Sequence, residues 1–387
     1  MTVISTHSAL RTPHSAFDVV IIGGGIVGAA CALECVRERL SVAVVESSVI
    51  GGGATAAGMG HIVVMDDSDA QFALTNYSQQ LWQQVRDELP PEVEYEECGT
   101  LWVAADDEEM AEVRRKQQFY ATRGVAVEVL DARSLREAEP HLRPGLAGGL
   151  RVPRDGVTYP PCAAAYFLKD AQARGAVLFT GKAVTSISDE GVTLSDGAFI
   201  AAGLTVNATG SWAPELTPGI DVQKRKGHLV ITERYPGFVR HQLIELGYLK
   251  SAHSISSDSV AFNAQPRKTG QILLGSSRQY GVDSTEIEQH MLKWMIERAV
   301  EYMPELAGLT GIRAWTGFRA ATPDKLPLIG PCPGHERLYL ATGHEGLGIT
   351  TSLGTAKLLV DQIVKREPKI PVEPYLPSRK TQEAAHA

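Results

Sequence analysis

The stretch Asp18-Val19-Val20-Ile21-Ile22-Gly23-Gly24-Gly25-Ile26-Val27-Gly28 decides the fold. An apolar strand runs into a Gly-x-Gly-x-x-Gly turn and on into the helical stretch Ala29 to Arg37. Gly23 permits the tight turn, Gly25 lets backbone approach a pyrophosphate, and Gly28 allows close helix packing. The start of that helix, with its unpaired N–H groups and positive dipole end, suits a phosphate. A second strand, Ser41-Val42-Ala43-Val44-Val45-Glu46, ends on Glu46 at the spacing of an acid that accepts ribose hydroxyls and disfavours a 2′-phosphate. A dinucleotide-binding unit is expected, and this half serves NAD and FAD alike.

Two later stretches choose between them. Val206-Asn207-Ala208-Thr209-Gly210-Ser211-Trp212-Ala213 and Leu338-Tyr339-Leu340-Ala341-Thr342-Gly343-His344-Glu345-Gly346-Leu347-Gly348 each read as strand, small-residue turn and helix start. They offer two further close backbone approaches to one long cofactor. An NAD domain closes within its own contiguous segment, whereas a fingerprint at Gly23 that needs a partner at Gly343 points to FAD laid through the whole chain.

On these residues the chain resembles the FAD-dependent D-amino-acid oxidase superfamily, in the branch of glycine and sarcosine oxidases, from about Phe17 to Glu367. Further marks are the run Gly51-Gly52-Gly53-Ala54-Thr55-Ala56-Ala57-Gly58, and Gly317-Phe318-Arg319 followed by Thr322-Pro323-Asp324-Lys325-Leu326-Pro327-Leu328-Ile329-Gly330. The wording His344-Glu345-Gly346-Leu347-Gly348-Ile349-Thr350-Thr351-Ser352-Leu353-Gly354 also resembles the β subunit of D-hydroxyproline dehydrogenases. The resemblance implies FAD contacts at the three fingerprint glycines with Ile26 and Val27, at Glu46 and Ser47, at Ala54, Thr55, Ala57 and Gly58, and at Val184. It extends them to Ala208, Thr209, Gly210 and Trp212, to Arg319, and to Gly343, His344, Gly346, Leu347, Gly348, Ile349 and Thr350.

The same resemblance assigns chemistry. Arg319 would hold a substrate carboxylate in a planar, bidentate fork, which fixes the α-carbon for hydride transfer. Backbone N–H groups at Gly346 to Ile349 suit negative charge on a reduced flavin. His61 falls where the family passes the flavin ring, with a core histidine as the other reading; His344 is as well read as structural as catalytic. Tyr248, in a roof strand over Leu243 to Leu249, is the expected second carboxylate ligand; Lys250 and His253 are weaker candidates. Arg225, Arg278 and Arg313 read as structural. Sarcosine oxidase has a flavin-linked cysteine where this chain has Gly317, so noncovalent FAD is expected. The implied reaction is FAD-dependent oxidation of the Cα–N bond of an amino or imino acid, with cis-4-hydroxy-D-proline as the leading substrate. A peroxide-producing glycine, sarcosine or D-amino-acid oxidase is the alternative. A chain that passes electrons to partner subunits fits as well.

Bulk properties agree with an enzyme of small molecules. The chain has 387 residues, 44% hydrophobic residues and a net charge of −8, with a pI near 5.8, which leaves no electrostatic footprint for nucleic acid. Five cysteines, an odd number without paired spacing, indicate a reducing compartment; Cys31 and Cys35 lie one helical turn apart as small core residues and Cys98, Cys162 and Cys332 are scattered, which speaks against an iron–sulfur cluster. The sequence shows neither a signal peptide nor a transmembrane run, and a cytoplasmic location is expected; an oligomer is expected as well. The predicted fold is α/β (α+β): a discontinuous Rossmann-like FAD domain over 17–85, 144–220 and 311–366, interleaved with an antiparallel substrate domain over 86–143 and 221–310. Residues 1–16 and 367–387 are expected to be flexible. Helices are predicted over Ser68 to Leu89, Asp106 to Gly124 and Pro160 to Gly175, with a further helix to Tyr302 capped by Asp283 and Glu286.

Overall fold

In the computed structural model, residues 16–247 and 258–379 are described. Phe17–Ile22 pairs in parallel with Val42–Glu46 on one side and with Phe199–Asn207 on the other. Leu338–Thr342 and Val177–Thr180 extend this parallel sheet, and Leu328–Pro331 adds an antiparallel edge. Near-continuous apolar runs suit it because both faces are covered. Val19 and Ile21 face the helices Ile26–Arg37, Pro160–Ala173 and Gly348–Ile363. Val20 and Ile22, one residue out of phase, face an antiparallel hairpin, Val184–Ser188 with Gly191–Leu194.

The second sheet runs in the order Gly311–Ala321, Gln223–Arg234, Gln271–Tyr280, Ser259–Pro266, Gln242–Glu245, Thr100–Ala104, Gly148–Val152, Glu128–Asp131. Its pairings are antiparallel except that of Gln242–Glu245 with Thr100–Ala104. Helix Gln289–Tyr302 buries Met291, Met295, Ala299 and Tyr302 against Leu101, Leu243 and Phe262.

Several expectations are corrected. Gly148–Val152 and Gly311–Ala321, expected in the FAD domain, are strands of the second sheet: each finds its hydrogen-bonding neighbours there. Asp283 and Glu286 do not cap the helix, which begins at Gln289 after an N-cap Glu288 with no side-chain cap bond. Glu288 is engaged instead by Lys226 and Gln279. Ser68 does cap its helix, accepting from Gln71 N at 3.1 Å, but the helix proper stops at Val85 and continues as a 3₁₀ turn, Arg86–Glu88, before Pro90 and Pro91. Residues 367–379, expected to be loose, pack: Tyr375 is 1% exposed and Arg379 pairs with Asp324. Among the described residues no helix is long and apolar enough to cross a membrane.

Candidate active site

The glycine turn is built as a cradle. Gly23 has φ +110°, and a Cβ there would lie 2.6 Å from Ala208 O, so the first and second cofactor segments touch through backbone. Above Gly25 a Cβ would meet only Thr55 Oγ1, at 3.3 Å, which leaves room for a ligand to approach. Thr55 Oγ1 accepts from Ile26 N at 3.0 Å, bringing the 51–58 run over the helix start. Glu46 ends its strand with Oε2 accepting from Gly24 N at 2.7 Å and Oε1 from Ser48 N at 2.8 Å; Ser47 Oγ is 3.4 Å from the same Oε1. Thr342 Oγ1 donates to Gly210 O at 2.8 Å, tying the second segment to the third. Trp212 stands edge-on to Phe318, and Val184 opens the hairpin beneath the sheet.

The turn from Thr342 into helix Gly348–Ile363 carries Gly343 at φ +77° and Glu345 at φ +52°. His344 is buried with Nε2 3.0 Å from Thr355 Oγ1, and burial lowers its pKa to about 3, which is the structural reading. Thr350 Oγ1 donates to His61 O at 2.8 Å. Ile349 packs under Gly58, where a Cβ would lie 2.6 Å from Ile349 Cδ1. His61 pairs with Val157 across a two-residue ladder, and its Nε2 is buried without a partner among the described residues. Burial, with the positive charge of Arg319, lowers its pKa to about 3, so the ring is neutral. The open approach at Gly25 and the orphaned His61 Nε2 fit a bound dinucleotide.

Arg319 lies on Gly311–Ala321, opposite Arg225, and Arg225 lies opposite Tyr280 on the next strand. Three strands thus present Arg319, Arg225 and Tyr280 in one row. Arg278 sits two residues before Tyr280 and therefore on the same face. Facing cations repel. Glu345 meets them: it pairs with Arg225, whose Nη1 also donates to Tyr280 Oη at 3.1 Å. Burial and the neighbouring Arg225 lower Arg319 to about 10; burial, Arg225 and Arg319 lower Arg278 to about 9.

Arg319 is held along its strand pair. A Cβ on Gly227 would lie 2.4 Å from Arg319 Nη1, so only glycine lets the guanidinium lie there. Nη1 donates to Ser277 O at 2.9 Å. Ser277 Oγ accepts from His228 N at 2.8 Å and lies 2.8 Å from His228 Nδ1, while His228 Nε2 accepts from Glu288 N at 3.2 Å. That last bond places the His228 proton on Nδ1, and burial, with Lys226 nearby, lowers its pKa to about 4.

The structure therefore brings Arg319, His61, His344 and the glycine segments together. Arg225 and Arg278, read from sequence as structural, join Arg319, whereas Arg313 is exposed with its guanidinium over Trp315. Local sequence does not mark Glu345, Tyr280, Ser277 and His228 as ligands. Their signal lies in strand register, which links Arg225 to both Arg319 and Tyr280. Tyr248, Lys250 and His253 lie outside the described residues.

Comparison with known proteins places this geometry. The family model for FAD dependent oxidoreductases (DAO) matches residues 18–362. Glycine oxidase of Pseudomonas putida is 29% identical over 382 residues, covering 93% of this chain and 98% of that protein. The crystal structure of glycine oxidase from Geobacillus kaustophilus superimposes with a TM-score of 0.85 at 25% identity, covering 95% of this chain and 99% of that one. L-proline dehydrogenase from P. horikoshii gives a TM-score of 0.83 at 26% identity, covering 93% and 96%. With the family model spanning both sheets and every segment of the cradle, the chain belongs to the DAO family of FAD-dependent oxidoreductases.

Proposed function

We propose that this enzyme oxidises the Cα–N bond of an amino or imino acid to the imine, and that its substrate is a D-configured cyclic imino acid such as cis-4-hydroxy-D-proline. The observation that carries the reading is Arg319, a desolvated guanidinium fixed by Gly227 and Ser277 beside the turn that opens the last helix. A planar fork held in this way grips a carboxylate at two points and sets the direction of the α-carbon. FAD, when bound, supplies the hydride acceptor. The chain orients the acid through Arg319, keeps His61 neutral beside it, and offers the N-terminal dipole of helix Gly348–Ile363 to negative charge. Tyr248 is the further carboxylate ligand in this reading. Likeness to a proline dehydrogenase supports the cyclic substrate. Likeness to glycine oxidases supports a second reading, in which glycine or sarcosine is oxidised and oxygen is reduced to peroxide.

Anaerobic bleaching of the flavin by D- and L-proline, hydroxyprolines, glycine and sarcosine tests both. Preference for glycine or sarcosine with peroxide release selects the second, and no bleaching by any amino or imino acid rejects the proposal. Arg319→Ala should raise half-saturation by a factor on the order of 100, the loss of a buried charge-assisted contact, with Arg319→Lys recovering part of it. Wild-type-like behaviour of Arg319→Ala would remove Arg319 from the site. Acid should release the FAD from the polypeptide, since Gly317 offers no thiol for attachment.

A further inference from the structure

Glu345 has a position that flavin binding and carboxylate recognition leave unexplained. Its side chain is 9% exposed and that of its partner Arg225 is 7% exposed, so the pair is nearly dry. Its backbone N donates to Ala320 O at 2.9 Å, and the next residue, Gly346, abuts Arg319: a Cβ there would lie 3.6 Å from Arg319 Nε. Glu345 therefore stands next to the carboxylate fork. Arg225 takes Oε2, while Oε1 has no hydrogen-bond partner among the described residues. Tyr280 Oη accepts from Arg225 at 3.1 Å, which leaves its own O–H to donate. One guanidinium thus pins an acceptor, Glu345 Oε1, and a donor, the Tyr280 hydroxyl, beside the position of the substrate.

We infer that Glu345 and Tyr280, clamped by Arg225, form a second polar station that selects an amino or imino acid bearing a hydroxyl group. This rests on the amino-acid reading of the preceding subsection and narrows its substrate class. A hydroxyl both donates and accepts, so it satisfies Glu345 Oε1 and the Tyr280 O–H together. The reacting nitrogen is a poor occupant of the station. A carboxylate beside it would hold it as ammonium, which lacks the lone pair that loss of hydride from the neighbouring carbon requires. An ammonium also cannot accept from Tyr280.

The test compares matched pairs, D-proline with cis-4-hydroxy-D-proline and D-alanine with D-serine, by anaerobic flavin reduction of the FAD-loaded enzyme. Wild type should favour the hydroxylated member of at least one pair in kcat/KM. Glu345→Gln keeps an amide oxygen for Arg225 and turns an N–H toward the substrate. It should lower that preference roughly ten-fold or more, the effect of losing a hydrogen bond to a charged group. Tyr280→Phe, which leaves Glu345 and Arg225 in place, should lower it as well. Equal losses for both members of a pair would mean that the Arg225–Glu345 contact only braces the turn, and would overturn the inference. So would a wild type indifferent to the hydroxyl, a result independent of any variant. Bleaching by none of the four, nor by L-proline, glycine or sarcosine, with FAD bound, would instead remove the amino-acid reading itself.

Discussion

A methyl group on Gly317 would lie 2.1 Å from Ala57 Cβ, well inside van der Waals contact. The strand that carries Arg319 thus passes the 51–58 run too closely for any side chain. Gly317→Ala is expected to destabilise the FAD-loaded protein by about 1–3 kcal/mol through overpacking, and Ala57→Gly in the same chain should recover most of it. Urea unfolding of the single and double variants measures this; additive losses would show that the two residues do not share the contact. Sequence made Gly317 visible as a departure from a cysteine, but not the reason a side chain is excluded. The same division runs through the site. Arg319 and the cofactor glycines carry their meaning in local wording. The roles of Arg225, Tyr280 and Glu345 depend on register between strands far apart in the chain, so no single stretch announces them.

Among the elements, the segment beyond the last helix departs most from expectation. Pro368, Pro371, Pro374 and Pro377, mixed with charged residues, give it the composition of a loose tail. One aromatic and one arginine anchor it. Tyr375 inserts into the core of the parallel sheet and donates to Ala70 O at 2.5 Å, at the start of helix Asp69–Val85. Arg379 bonds both oxygens of Asp324 and the carbonyls of Leu326 and Pro327, on the loop after Arg319. A pattern of period two or 3.6 cannot reveal such a strap, because it has no repeating face. The parallel strands and the helices between them were legible for the opposite reason: their apolar runs repeat and their turns carry glycine. Tyr375→Ala should cost about 3 kcal/mol or more in unfolding free energy, and Tyr375→Phe about 1 kcal/mol, the lost hydrogen bond. A Tyr375→Ala protein as stable as wild type would return the segment to the status of a tail.

Across the whole molecule, the two sheets meet at a seam where Asp155 is fully buried. It follows strand Gly148–Val152 of the second sheet and precedes Gly156–Val157, which pairs with His61–Ile62 beside the site. Its Oδ1 accepts from Gln79 Nε2 at 2.7 Å, on a helix that packs against the last helix, and from Val64 N at 3.1 Å. Both bonds favour the carboxylate, but burial outweighs them and raises the pKa from 3.8 to about 7. The sign follows from proton binding: between these values the folded chain keeps a proton that the unfolded chain has lost. Stability from this group is therefore fully present below pH 3.8 and lost as pH rises through about 7. Asp155→Asn, which stays neutral at every pH, removes that dependence. Relative to the variant, wild type should lose on the order of 2–4 kcal/mol between about pH 4 and pH 8. Thermal unfolding of both proteins across that range gives the comparison. A difference that stays constant with pH would mean that Asp155 does not carry its proton across the seam, and would place the carboxylate, ionised, in a better solvated contact than its burial indicates.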